Sequence, residues 1–152
     1  MEPNFIRRFR TVTRAVIEGF ASTMHVSEQV INGWADVLNY EERFRSRDSP
    51  KRYFFKTGIL VDGVTYYYMH DVNKRFTRFQ RNLGLAASCN TDATNMKNID
   101  LAFFPLNRGS QYYCVVLNLK TLSVEILDSS AREGDVDDRY DYDITILQTM
   151  MV

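Results

Sequence analysis

The chain has 152 residues, of which 45% are hydrophobic and 25% charged, so it is long enough to fold as one domain with a sizeable core. No apolar run approaches the ~20 residues of a membrane span, and the two cysteines, Cys89 and Cys114, are too few to indicate a disulfide framework. This composition argues against a disulfide-rich secreted domain and a transmembrane protein. We expect an intracellular protein, nuclear or cytoplasmic.

The net charge of zero conceals an asymmetry along the chain. Residues 1–81 carry 14 Lys and Arg against 9 Asp and Glu, whereas residues 82–152 carry 5 against 10, so the two parts have charges of +5 and −5. Complementary faces within one fold, head-to-tail self-association and an accident of loop composition all remain open. The asymmetry does not indicate nucleic-acid binding.

The N-terminal segment, residues 1–25, is predicted to contain an amphipathic basic helix. Its apolar side chains recur every three or four residues and so share one helical face, a candidate interaction surface: Phe5, Phe9, Val12, Val16 and Phe20. Three arginines lie on another face. An Arg-rich amphipathic start is also typical of a mitochondrial transit peptide or a membrane-surface helix, so a mitochondrial location stays an alternative.

A second helix is predicted from Ser27 to about Arg45. The Ser27 hydroxyl can cap the free N–H groups of the first turn, and Glu28 suits the positive end of the helix dipole. The helix should end before Ser49, because a residue that precedes proline is disfavoured in the helical region. Helical spacing predicts that its buried face comprises Val30, Ile31, Trp34, Val37, Leu38 and Phe44.

The next segments alternate between β-prone and helical patterns. Residues 53–60 and 64–69 are β-prone and flank an Asp-Gly turn signal, which predicts a hairpin, although a short helix fits the first of them equally well. Residues 71–85 combine basic and aromatic residues at helical spacing. We interpret them as an amphipathic helix with a basic outer face, and nucleic-acid binding is not expected. Residues 88–98 are polar and predict a loop.

The densest apolar stretch, residues 99–130, is predicted to form the centre of the fold. Residues 101–106 and 112–119 are short apolar runs typical of strands buried on both faces. Residues 122–127 alternate apolar and polar side chains, as a half-exposed strand does. Lys120 and Thr121 leave room only for a tight hairpin turn between the last two strands.

The end of the chain is acidic and then apolar. Residues 132–143 form an acidic run that we interpret as a solvated surface, since its spacing misses the calcium-loop pattern. Residues 144–152 are apolar and predict the start of a helix, with Ile144 and Leu147 as further candidates for the interaction surface. Together, the elements predict a single α+β domain with a small central mixed sheet and packed helices. No metal site and no cofactor are expected.

Several of these segments, from residue 26 onward, resemble the ubiquitin-like-protein-specific (SUMO) cysteine proteases, especially the plant members. The resemblance lies in VSEQVINGWADVLN at 26–39, RYFFKTGIL at 52–60, IDLAFFPLN at 99–107, QYYCVVLNLK at 111–120 and VEILDSS at 124–130. It implies that residues 26–152 are a papain-like domain. It also implies a mechanism in which a His activates a Cys thiolate, an Asp orients that His, and a Gln helps to hold the oxyanion.

The positions that would carry this chemistry have changed. The position of the family's His is occupied by Gln111 and that of the Trp beside it by Tyr112, while the Asp position retains Asp128. A glutamine amide cannot take up the thiol proton, and no cysteine follows Cys114 in the sequence given. We therefore expect a truncated pseudoprotease with no catalytic residues, in which Gln111, Tyr112 and Asp128 are relics.

The function expected from this interpretation is a protein-interaction module, regulatory or effector, that self-associates. Two alternatives stay open. One is residual binding of a ubiquitin-like protein, or residual cysteine protease activity. The other is a mitochondrially targeted effector that uses the basic N-terminal helix.

Overall fold

A computed structural model describes residues 26–60, 71–87, 96–109, 111–129, 134–140 and 143–151. In these ranges the protein is a mixed α+β structure with four strands and four α-helices. In chain order these are α1 (Glu28–Glu41), β1 (Arg52–Phe54), α2 (Val72–Ala87), β2 (Leu101–Arg108), β3 (Gln111–Asn118), β4 (Ser123–Leu127), α3 (Val136–Tyr140) and α4 (Asp143–Met151). Short 3₁₀ turns cover Glu42–Phe44 and Met96–Asn98. The predicted α+β class with a small mixed sheet is confirmed.

The four strands form one sheet in the order β1-β2-β3-β4. β1 is parallel to β2, and the pairs β2–β3 and β3–β4 are antiparallel. Parallel strands need a long crossover connection, and α2 lies within the one that joins β1 to β2. Of the predicted strand at 53–60, only Tyr53 and Phe54 belong to β1, and the predicted hairpin partner at 64–69 lies outside the described residues.

The core lies on one face of the sheet, which we call the inner face. Alternate side chains of β2 and β3 point into it and are almost fully buried: Ala102, Phe104, Leu106, Tyr113, Val115 and Leu117. Phe55, just after β1, stacks on Phe104 with ring centroids 4.6 Å apart, and Phe79 of α2 joins the same cluster. On the opposite, outer face, β2 is only half-buried, so the prediction of a strand buried on both faces is wrong for β2.

Helix α1 begins as predicted and packs along the β1 edge of the sheet. The Ser27 hydroxyl accepts a hydrogen bond from the Val30 N–H, which caps the helix. The Asn39 amide binds both the N–H and the carbonyl of Phe54, at 2.9 and 2.7 Å, and so holds α1 to β1. The predicted buried face of α1 is largely wrong, because only part of the helix faces the narrow β1 edge. Trp34 and Phe44 are 56% and 75% exposed, and the other four predicted residues are only partly buried. The buried residue of α1 is Ala35, which was not predicted.

The connection between β3 and β4 is longer than the two residues predicted. Asn118 pairs with Ser123, which leaves a loop of four residues. The Asn118 side-chain oxygen accepts hydrogen bonds from the N–H groups of Lys120 and Thr121, and Leu122 adopts a left-handed conformation with φ 55°. The Asn118 side chain therefore stabilises this loop, whose sequence contains no Asn-Gly turn.

Asp100 joins three parts of the sheet just before β2 begins. Its carboxylate accepts a hydrogen bond from the Lys51 N–H at 2.7 Å and forms an ion pair with Lys120 at 3.0 Å. Its backbone carbonyl accepts from the Leu119 N–H at 2.8 Å. The Lys51 N–H and then the Lys120 ammonium hold the pKa of Asp100 below its usual range, since both favour the charged carboxylate.

The apolar end of the chain folds as the predicted helix, α4, but it does not form a surface. Ile144 and Leu147 are buried in the core, so the prediction that they belong to an interaction surface is wrong. Their side chains supply part of the helical layer that covers the inner face of the sheet. The other residues proposed for that surface, Phe5, Phe9, Val12, Val16 and Phe20, lie outside the described residues.

Candidate functional site

The candidate site lies at the end of the sheet where β3 begins and β4 ends. Gln111 is the first residue of β3, opposite Arg108 of β2, and Asp128 directly follows β4. The pairing of Cys114 with Leu127 brings Asp128 level with Tyr113. The structure therefore places Gln111 and Asp128 at the same end of the sheet, as the resemblance implies. Because side chains alternate, both belong to the inner face and Tyr112 to the outer face.

Asp128 is engaged by a tyrosine that the sequence analysis did not single out. The Tyr140 hydroxyl, on α3, donates a hydrogen bond to the Asp128 carboxylate at 3.1 Å. The Tyr140 ring lies 4.7 Å from the ring of Tyr113, and the Tyr113 hydroxyl donates to the Asp143 carboxylate at 3.2 Å. We call these four residues, Tyr113, Asp128, Tyr140 and Asp143, the tyrosine–aspartate cluster.

Helix α3 is held over this end of the sheet by contacts from β2 and from its own residues. The Arg108 guanidinium donates to the Asp138 carbonyl at 3.2 Å, and the Arg139 guanidinium lies 5.5 Å from the centre of the Tyr140 ring. At the start of the helix, the Asp135 carboxylate accepts from the Val136 N–H at 2.7 Å. The Arg108 contact holds α3, and with it Tyr140, against this end of the sheet.

The acidic run at 132–143 was predicted to be a solvated surface, and this is wrong for Asp143. Asp143 is only 8% exposed, because it begins α4 beneath the sheet and receives the Tyr113 hydroxyl. Asp135 and Asp138 are exposed, as predicted. A local charge pattern could not reveal the difference, since the partner of Asp143 lies 30 residues away in the sequence.

Cys114 lies in the middle of β3, on the outer face, between Pro105 of β2 and Leu127 of β4. Burial raises the pKa of its thiol to about 11, so that the protonated, unreactive form prevails at neutral pH. Alternation along the strands places Asp128 on the inner face, so the sheet separates it from the Cys114 thiol. The other cysteine of the chain, Cys89, and its two histidines, His25 and His70, lie outside the described residues.

The cluster pairs hydroxyl donors with carboxylate acceptors, and the neighbouring Gln111 carries an amide that does not ionise. Within the described ranges, no group of three His, Cys, Asp or Glu side chains is placed to hold a metal ion. In the same ranges no helix is long and apolar enough to cross a bilayer. The arrangement is that of a polar contact between sheet and helices, buried at Asp143 and partly buried at Asp128.

Comparison of the chain with protein-family models and with curated proteins finds no match. The resemblance to the SUMO proteases therefore rests on the sequence segments given above. It remains a prediction.

Proposed function

We propose that this protein is a catalytically inactive relative of the SUMO cysteine proteases, with a papain-like fold, that acts as a protein-interaction module. The observation that supports the proposal is the hydrogen bond between Asp128 and the Tyr140 hydroxyl. In an active protease of this kind, the Asp would hold an imidazole in the orientation and tautomer needed for proton transfer. Here the carboxylate is engaged by a phenol that belongs to the packing of α3.

The neighbouring residues support the same proposal. Gln111, at the position of the base, has an amide that cannot shuttle a proton near neutral pH. The Cys114 thiol is held in its protonated form by a pKa of about 11, on the face of the sheet opposite to Asp128. Nucleophile, base and orienting acid must contact one another in sequence for the mechanism to operate. Cys114 and Asp128 lie on opposite faces of the sheet, so they do not belong to one such series.

Large apolar side chains exposed on the surface support a role in protein contacts. Trp34 and Phe44 of the α1 region, Leu85 of α2 and Leu127 of β4 are all more than half exposed. Aromatic side chains such as Trp34 contribute strongly to protein–protein binding energy. We propose that some of these residues contact a partner protein, including a second copy of the chain.

The absence of catalysis is tested with SUMO and ubiquitin that carry a cysteine-reactive group at the C-terminus. We expect no covalent adduct under conditions in which an active SUMO protease is fully labelled. Variants Cys89→Ala and Cys114→Ala serve as matched controls that assign any adduct to one thiol. An adduct on the wild-type chain that is lost in either variant would overturn the proposal.

Two further measurements separate the interaction role from its alternatives. Titration of labelled SUMO tests for residual binding of a ubiquitin-like protein without hydrolysis. Light scattering at micromolar concentrations tests self-association, for which we expect an average mass that rises with concentration. A mass that stays at 17.8 kDa over the whole range would contradict self-association.

A further inference from the structure

We infer that the basic face of α2 binds the acidic α3 region of a second copy of this chain. The inference rests on the self-association in the proposed function and names the two surfaces that produce it. It does not depend on whether the protein is inactive as a protease. The two surfaces belong to different elements of one chain, so each copy offers both.

The basic face of α2 contains an open groove of about 700 Å³. Lys74, Arg78 and Arg81 line it together with polar side chains, and Leu85 lies at one end. Residues 71–87 contain four basic residues and a single acidic one, Asp71, so the groove lies in a positive field. Among the described residues, the Asp71 carboxylate is 4.0 Å from Lys74, at the limit of an ion pair.

The packing of α2 explains why this face is directed outward. Phe79 is 1% exposed in the core, and the Asn82 amide donates to the Ile59 carbonyl at 3.1 Å. These contacts hold one side of the helix against the protein. Lys74 and Arg81 are exposed, and Leu85 is 68% exposed, so the surface combines positive charge with an apolar contact. A surface of this kind suits an acidic segment that also carries apolar atoms.

The α3 region of the same chain has the complementary properties. Residues 135–140 contain three Asp and one Arg. The Asp135 and Asp138 side chains are exposed, and neither forms an ion pair with a residue that the structure describes. Arg139, the basic residue of this stretch, has its guanidinium over the Tyr140 ring. Because Arg108 and Tyr140 hold α3 in place, its carboxylates are presented without a large loss of conformational entropy on binding.

The charge distribution of the whole chain favours a second copy over other anionic partners. Residues 1–81 have a net charge of +5 and residues 82–152 of −5, so two copies attract each other when opposite parts meet, whereas the chain as a whole is neutral towards a polyanion. A contact between unlike surfaces forms either twice in a closed dimer or repeatedly in a larger assembly. In both cases added salt weakens the contact, since the Debye length over which exposed charges interact falls to about 3 Å at 1 M ionic strength.

The test is a charge-swap experiment on the full chain, followed by sedimentation or light scattering. The double variant Lys74→Glu/Arg81→Glu and the double variant Asp135→Lys/Asp138→Lys should each weaken self-association at least about tenfold. An equal mixture of the two should associate again, because each carries the charges that the other now needs. The matched controls are Arg47→Glu and Asp48→Lys, exposed residues of the loop after α1, which should change nothing. Circular dichroism checks that each variant is folded.

The outcomes separate the inference from the proposal on which it rests. If the wild type associates and both double variants associate equally well, these surfaces are wrong while self-association stands. If each double variant self-associates less but their mixture does not associate, the proposed contact between α2 and α3 is also wrong. If the wild type is monomeric at every concentration, self-association and this inference both fail. Capture of RNA or anionic vesicles by a chain that stays monomeric would assign the basic face to a different partner.

Discussion

Replacement of Tyr113 by phenylalanine isolates the buried hydrogen bond of the tyrosine–aspartate cluster. The change removes one hydroxyl and leaves the ring that packs on Tyr140. The lost bond, 3.2 Å long, reaches the carboxylate of Asp143, which is 8% exposed and cannot fully exchange it for water. Removal of one partner of a buried hydrogen bond costs about 1–3 kcal/mol, so we expect a loss of that size in the free energy of unfolding. For a chain of this length, it corresponds to a Tm lower by about 2–12 °C.

The neighbouring residue provides the matched control. Tyr112 lies one position earlier on the same strand, on the outer face, and its hydroxyl makes no hydrogen bond with a described residue. Tyr112→Phe should therefore change stability by less than about 0.5 kcal/mol. Urea unfolding of the wild type and both variants, followed by circular dichroism, gives the comparison. Equal losses in Tyr112→Phe and Tyr113→Phe would refute the reasoning, since the effect would then belong to any tyrosine of β3.

Three further predictions concern Asp100, Cys114 and Trp34. The pKa of Asp100 is lower in the folded state than in the unfolded state, where it has the usual value of 3.8. The Asp100 carboxylate therefore stabilises the fold fully above pH 3.8, and this stabilisation is lost as the pH falls through the folded-state pKa. Acid unfolding of Asp100→Asn should accordingly be less steep than that of the wild type, and identical curves would contradict this. In a variant with Cys89 replaced by Ala, the Cys114 thiol should react slowly with iodoacetamide at neutral pH and faster as the pH approaches its pKa of about 11. Rapid labelling of the folded protein at pH 7 would show that burial does not protect the thiol. Trp34, the single tryptophan, is 56% exposed, so its fluorescence should be quenched by acrylamide in dilute protein, and protection at the lowest concentration would contradict the exposure.

The sequence correctly predicted the strands and the helix in which apolar residues recur at the strand or helix spacing. Strands β2 and β3 and helix α2 lie where apolar spacing indicates them, because each contributes its side chains directly to the core. The same reasoning failed for Trp34 and Phe44. Helical spacing indicates which residues share a face, but only the tertiary structure decides whether that face is covered, and α1 packs along the narrow β1 edge.

The candidate site could be predicted only in part, for a related reason. The resemblance of residues 99–130 implied that Gln111 opens one strand and that Asp128 ends the next, and the strand register places both at one end of the sheet. It could not reveal Tyr140 or Asp143, whose partners are 12 and 30 residues away and are brought close by the packing of α3 and α4. A tyrosine within an acidic run was the available signal, since a large aromatic ring is seldom placed in a fully solvated segment.

The cluster also gives Asp128 a structural role that does not depend on any catalysis. Asp128 accepts the Tyr140 hydroxyl, and Tyr140 packs on Tyr113, so the carboxylate contributes to the contact between the sheet and α3. This hydrogen bond is partly buried, and its loss should cost about 0.5–1.5 kcal/mol in the free energy of unfolding. A packing role is therefore sufficient to explain an aspartate at this position. The presence of Asp128 alone does not favour protease activity, and the labelling experiment with reactive SUMO and ubiquitin tests that activity directly.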